Sequence, residues 1–119
     1  LGISTHGFPN FHMLYGPNTN TSYTSVLLFV EEQVACIVRA LDFLKEHHGT
    51  TPTSIEVKQQ VEDDFVEEMQ RRMESHVYLK ATNSWYCANG RVVNNWVSDE
   101  VEYAKRVRAV DFEKSYIVR

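Results

Sequence analysis

Cysteine is scarce in this chain of 119 residues, which holds only Cys36 and Cys87. Neither forms a CxxC or a zinc-type spacing with the five histidines, so neither a disulfide framework nor a metal site is expected, and a reduced, cytoplasmic chain is the simpler expectation. Positive charge is also in deficit. With 12 Lys and Arg against 16 Asp and Glu the net charge is −4, which argues against a nucleic-acid backbone as partner, because that affinity comes from clustered cations. No biased or low-complexity tract occurs, and the 12% aromatic content is ordinary for a folded domain. The longest apolar stretch, Val26 to Leu44, is interrupted by Glu31, Glu32, Arg39 and Asp42, so it reads as a helix in water and not a membrane span. There is no GxGxxG, no P-loop, no GxSxG and no paired-carboxylate arrangement, so the chain carries no complete active site of its own. A chain this short buries about 65% of its unfolded surface, enough for one modest core. It begins at Leu1 without a basic and apolar leader, and the expectation is of a piece cut from something longer.

What is present begins with an irregular lead-in over residues 1–10. Phe11-His12-Met13-Leu14-Tyr15 then has strand character, stopped by Gly16-Pro17. A short, almost wholly apolar strand belongs in the middle of a sheet covered on both faces. The Asn, Thr and Ser residues from Asn18 to Ser25 supply helix N-caps, and a long helix over about 24–47, apolar around most of its circumference, is predicted to be buried against more than one neighbour. Thr53-Ser54-Ile55-Glu56 has capping-box spacing for a second helix over about 54–75, on which Val57, Val61, Phe65, Met69 and Met73 recur every four residues. Asn89-Gly90 predicts a β-hairpin over about 84–95, and Ser98-Asp99-Glu100 a short third helix over about 98–106. The tail from Asp111 to Arg119 is open between a turn and an extended segment.

For chemistry, the strand–loop–helix from Phe11 to Val30 is the most informative feature. Ligands of open α/β sheets bind beyond the carboxyl ends of strands, where a helix N-terminus offers backbone N–H groups and a positive dipole end. The polar loop either holds an anion or an electron-rich carbonyl of a flavin or nucleotide there, or merely caps the helix. The other candidates read more simply as structure. His12 fits a hydrogen-bonded core position. His47 and His48 diverge around the helix and lack a third metal ligand. Cys36 fits inert packing, Cys87 has no paired His, and Glu62-Asp63-Asp64 with Glu67-Glu68 form a solvated face. Trp85 and Trp96 flank the hairpin and suit either a core or a ligand ring.

Three of these segments occur together and in order in one family. Gly7-Phe8-Pro9-Asn10-Phe11-His12-Met13-Leu14-Tyr15-Gly16-Pro17-Asn18-Thr19-Asn20 with the Glu31-Glu32-Gln33-Val34 helix, then Ser54-Ile55-Glu56-Val57, then Asn83-Ser84-Trp85-Tyr86, resemble the C-terminal part of FAD- and NADPH-dependent Baeyer–Villiger monooxygenases and their flavin-containing monooxygenase relatives. The resemblance implies an α+β fragment of an α/β FAD-binding domain. Residues 1–49 would be its last strand and helix, and residues 50–119 a C-terminal helix–hairpin–helix extension. It implies that Gly16, Pro17, Asn18, Thr19 and Asn20 pass near the isoalloxazine, that Thr24 and Ser25 begin a helix facing its pyrimidine edge, and that Trp85 lies toward NADP or substrate. A Ser-Pro-Ser type sequence follows Gly-Pro in many of these enzymes, where this chain has Asn18-Thr19-Asn20-Thr21. The implied activity belongs to the intact enzyme: NADPH reduces FAD, and a flavin peroxide oxygenates a ketone or heteroatom of a small-molecule substrate. The fragment alone is expected to bind no cofactor, to be inactive, and to self-associate through apolar surface meant for the remainder of the parent chain. The alternative is a free-standing α+β interaction module without catalysis.

Overall fold

A computed structural model of the chain describes residues 1–48, 54–76 and 86–119. The first helix, α1 (Val26–His48), starts where Ser25 satisfies two of the N–H groups its first turn leaves open. Its hydroxyl accepts from Leu27 N at 3.3 Å and its carbonyl from Leu28 N at 3.2 Å. Phe29, Gln33, Cys36 and Ala40, spaced four, three and four apart, form its buried stripe. The opposite face is not covered: Leu27 (69% exposed), Val34, Val38 and Leu41 stand in solvent. The fully buried helix expected from its apolar composition is therefore half-buried, since the described residues supply a neighbour to one side only.

Two further expectations are corrected. Phe11–Tyr15 forms no strand. Asn10 and Tyr15 at its ends take left-handed φ values of 59° and 58°, which break an extended run, and no described strand lies beside it to complete a ladder. The segment is held by single backbone bonds, Asn10 N to Ile55 O at 2.9 Å and Met13 N to Ile3 O at 2.7 Å. The helix expected from 54 begins later, because Ile55–Val57 is a strand, β1, antiparallel to β4 (Tyr116–Val118) in the register Ile55↔Val118, Glu56↔Ile117. Burial of β-branched Ile55 and Val57 outweighs the capping signal. Glu56 spends its buried carboxylate on Gly7 N at 2.8 Å, on Arg119 at 3.3 Å and on His6 at 3.1 Å.

Helix α2 (Gln59–Met73) then presents Phe65, Met69 and Met73 to the core. Strands β2 (Cys87–Ala88) and β3 (Arg91–Val92) form the hairpin, and Asn89 and Gly90, with φ of 51° and 75°, make the type I′ turn that Asn-Gly favours. Helix α3 (Glu100–Arg108) is capped by Asp99, whose carboxylate accepts from Glu102 N at 2.8 Å. A single turn, α4 (Phe112–Ser115), leads into β4. The architecture is α+β, with four helices and two small antiparallel sheets among the described residues.

One core joins these elements. Tyr103 of α3 lies with its ring 4.5 Å from Phe29 and 5.2 Å, edge-on, from Trp96. Ile3, Met69, Met73, Val92 and Val107 close around them. Arg39 of α1 caps the end of α3, donating to the carbonyls of Val107 at 2.7 Å and Arg108 at 3.0 Å. Between α2 and α3, Glu68 pairs with Arg106 at 2.6 Å and Arg72 with Glu102 at 2.6 Å, so the i,i+4 surface pairing of Glu68 with Arg72 is secondary at 3.4 Å. No described helix is long and apolar enough to cross a membrane.

Candidate functional site

The loop from Gly16 to Asn20 enters and leaves under tight steric constraint. Tyr15 and Asn18 both take left-handed φ, 58° and 57°. A Cβ on Gly16 would lie 2.2 Å from Gly2 O, and one on Gly2 would lie 2.3 Å from Pro17 O. The lead-in and the loop therefore cross at backbone contact, possible only with glycine on both sides. Sequence reading marked Gly16 but missed Gly2, whose role appears only once the two segments meet.

Within the loop the polar side chains point inward. Asn18 is 3% exposed and its Nδ2 donates to Val92 O at 3.1 Å and Asn95 O at 3.0 Å, while its backbone N donates to Val93 O. Buried Thr19 closes the turn on Gly16 O at 2.7 Å. Asn20 pairs in a parallel bridge with Asn95, its Nδ2 donates to Asn95 Oδ1 at 2.6 Å, and its Oδ1 accepts from the Tyr15 hydroxyl. Gln33 of α1, fully buried, accepts from Tyr15 N at 2.9 Å and donates to the Tyr103 hydroxyl at 2.9 Å, which ties the loop to the core. Gln70 of α2 acts on Val92 as a neighbouring strand would, donating to its carbonyl at 2.8 Å and accepting from its N–H at 3.1 Å. These partners make the loop a rigid backbone surface. The signal for them lay in Asn94-Asn95 before Trp96, which carries no motif by itself.

Along this surface runs a cleft of about 730 Å³, lined by Tyr15, Pro17, Asn20, Val66, Gln70 and Val93, with Arg91 also among its described lining residues. Gly16 and Asn18 also line it, so four of the five predicted loop residues reach it, and Thr19 is buried beneath. Thr24 and Ser25 stand apart from the cleft, at the start of α1. That helix has no acidic side chain in its first turn, so its positive end is not neutralised by its own residues. Trp85 lies outside the described residues, as do Ser84 and Asn83.

The remaining candidates have structural employment. His12 Nδ1 meets Ser4 Oγ at 3.1 Å, and burial lowers its pKa. Burial raises the Cys36 thiol, which keeps it protonated. Glu62 accepts from Thr5 Oγ1 at 2.7 Å and His6 N at 2.6 Å, fastening the lead-in to α2. Trp96 is core, its Nε1 donating to Asp99 O at 2.9 Å.

A group such as a flavin can be tested against these donors. The side-chain amides of Asn18 and Asn20 are spent on Val92 O, Asn95 O and Asn95 Oδ1, so these two side chains offer a ligand shape and not free N–H groups. The uncompensated N-terminus of α1 is the part suited to an electron-rich carbonyl edge. The residues fit one wall of such a site.

Comparison with known proteins defines the class: in sequence and fold the chain matches a segment of the Baeyer–Villiger-type, FAD-binding monooxygenases. It is 34% identical over 98 residues to a Baeyer–Villiger monooxygenase of Pseudomonas aeruginosa, covering 80% of this chain and 18% of that one. It is 32% identical over 114 residues to the FAD-binding monooxygenase ktnD of Aspergillus niger, covering 92% of this chain and 18% of the relative. Among solved structures, an oxidised steroid monooxygenase bound to NADP superposes with a TM-score of 0.83 at 27% identity, over 99% of this chain and 22% of that one. The OTEMO complex with FAD and NADP superposes at 0.78, with 26% identity, over 100% of this chain and 22% of that one. No protein-family profile matches. The chain thus spans about a fifth of the length of the proteins it resembles.

Proposed function

We propose that these 119 residues act as the C-terminal segment of an FAD- and NADPH-dependent monooxygenase that oxygenates a ketone or heteroatom of a small molecule. The observation that carries the reading is the superposition over 99% of the chain, at a TM-score of 0.83, on one segment of a monooxygenase bound to NADP. Residues 1–49 belong to the FAD-binding domain and 50–119 extend from it. Bound FAD, reduced by NADPH, supplies the activation of O2. The residues of this chain position and shield. Gly16 to Asn20 form a stiff wall beside the ring system, Gln33 holds that wall through Tyr15 N, and Thr24 and Ser25 begin the helix whose positive end stabilises negative charge on the flavin's pyrimidine side. Trp85 is assigned to the NADP or substrate side by the resemblance alone. The remainder of the parent chain is the principal partner, and the segment by itself neither retains FAD nor turns over.

The test compares this chain with one in which the same residues follow the parent's upstream sequence. The longer protein is expected to purify with flavin absorbance and to consume oxygen when given NADPH, while the short chain leaves the fluorescence of added FAD unchanged. Flavin retained by the short chain would overturn the segment reading, and a longer chain without flavin would overturn the monooxygenase reading.

A further inference from the structure

A second, smaller cavity of about 100 Å³ lies between the lead-in, α1, β1, α2 and the start of β4. Ile3, Met13, Cys36, Val57, Phe65 and Val110 give it an apolar wall, and of all its lining residues only Pro17 is exposed. The space is thus enclosed by this chain's own packing. Pro17, Asn18 and Val66 line both this cavity and the cleft of about 730 Å³, so the two spaces share a wall. Polar side chains around the cavity are engaged within the chain. Ser4 Oγ meets His12 Nδ1 at 3.1 Å and the Tyr116 hydroxyl at 3.3 Å, Glu62 accepts from Thr5 Oγ1 at 2.7 Å and His6 N at 2.6 Å, and Asn18 Nδ2 donates to Val92 O and Asn95 O. Burial keeps the Cys36 thiol protonated and pushes the α-amino group of Leu1 down to about 4, so both are uncharged at neutral pH. A buried water needs about two to four polar partners, whereas an apolar cavity of about 150 Å³ stays dry and takes up xenon or benzene.

We propose that this cavity is a dry site for dioxygen, held one shared wall away from the cleft. Size, polarity and position select the occupant. At about 100 Å³ the space admits a diatomic gas and excludes a nucleotide or a flavin ring. Dioxygen is nonpolar and more soluble in apolar media than in water, so an apolar cavity concentrates it. Pro17 and Val66 set the cavity against the cleft, and a rotation of the Val66 side chain lets a small molecule pass to the loop without crossing bulk water. The loop from Gly16 to Asn20 then has two working faces, one toward the cleft and one toward the cavity. The dry cavity follows from the packing alone, while dioxygen as its occupant rests on the monooxygenase reading.

The test has two parts. In the first, the 119-residue chain is titrated with xenon and its amide resonances are followed; saturable shifts centred on Ile3, Cys36 and Phe65 are expected. Val61→Phe and Val110→Phe fill the cavity from two different segments, and neither residue lines the cleft. Either variant that keeps its far-ultraviolet circular dichroism should lose the xenon shifts. No saturable shift, or shifts that persist in both variants, would overturn the dry cavity. In the second part, the longer protein carrying the upstream sequence is reduced with NADPH without oxygen and then mixed with dissolved dioxygen. The filled variants should reoxidise about three- to tenfold more slowly while their reduction by NADPH is unchanged. Reoxidation at the unaltered rate in variants that no longer bind xenon would overturn dioxygen as the occupant and leave the flavoprotein reading intact. A longer protein without flavin would overturn that reading and the dioxygen assignment together, and xenon binding to the short chain would stand apart from both.

Discussion

Replacing Tyr103 by Phe should cost this chain about 2 kcal/mol, although only one oxygen atom is removed. The ring would keep its place, since its contacts with Phe29 at 4.5 Å and Trp96 at 5.2 Å do not involve the hydroxyl. What changes is the fate of two partners. The hydroxyl accepts from Gln33 Nε2 at 2.9 Å and donates to Leu1 O at 3.0 Å, in a site where Tyr103 is 1% and Gln33 0% exposed. An ordinary hydrogen bond contributes roughly 1 kcal/mol net, but a buried amide left without an acceptor costs about 1–3 kcal/mol. The orphaned Gln33 donor therefore dominates. Urea unfolding followed by tryptophan fluorescence reads the loss directly, and a thermal midpoint lower by roughly 6–10 °C should accompany it. Gln33→Met removes the donor as well as the acceptor for Tyr15 N, so Tyr103→Phe should cost about 1 kcal/mol less in that background. A loss under about 0.5 kcal/mol for Tyr103→Phe alone, or strict additivity with Gln33→Met, would refute the argument that the buried amide depends on this hydroxyl.

Other outcomes follow from the same geometry. Glu102, held by Arg72 through a hydrogen bond, has its pKa lowered to about 2, so its contribution is complete above the usual carboxylate value of 4.5 and is lost as pH falls from there toward 2. A third of its side chain is exposed, so screening reduces that contribution to about 1 kcal/mol, and Glu102→Gln should flatten this part of an acid-unfolding profile. Gly16→Ala drives a methyl group to 2.2 Å from Gly2 O, backbone against backbone, and should destabilise by about 2–4 kcal/mol in urea titration. Arg39→Ala uncaps α3 at Val107 and Arg108 and removes a cation from the Phe112 ring, 5.7 Å away; a loss of about 1–2 kcal/mol with faster amide exchange in the last turn of α3 is expected.

The parts of the fold legible in the sequence are those whose causes are local. Asn89-Gly90 dictates its own turn, Asp99 its own helix cap, and the four-residue rhythm of Phe65, Met69 and Met73 its own buried face. Elsewhere a distant segment decides the local structure. Ile55-Glu56-Val57 is a strand because Tyr116–Val118 lies beside it, and Phe11–Tyr15 is not one because no described strand does. The loop stands out by its composition and position, but the reason for its rigidity is not legible in the sequence. Gln33, Gln70 and Asn95 are 18 to 77 residues from the partners they bind, and ordinary amides carry no motif. One polar atom there stays unmatched, Asn95 Nδ2, buried without a partner among the described residues beside the loop it helps to hold.

Oxygen uptake by the longer protein, in which these residues follow the parent's upstream sequence, is the most direct test of a role in a flavin-dependent monooxygenase. A flavin-containing protein that consumes oxygen only when NADPH is supplied, set against no uptake by the 119-residue chain, is the predicted result. A longer protein that carries no flavin and leaves NADPH and oxygen untouched would contradict it.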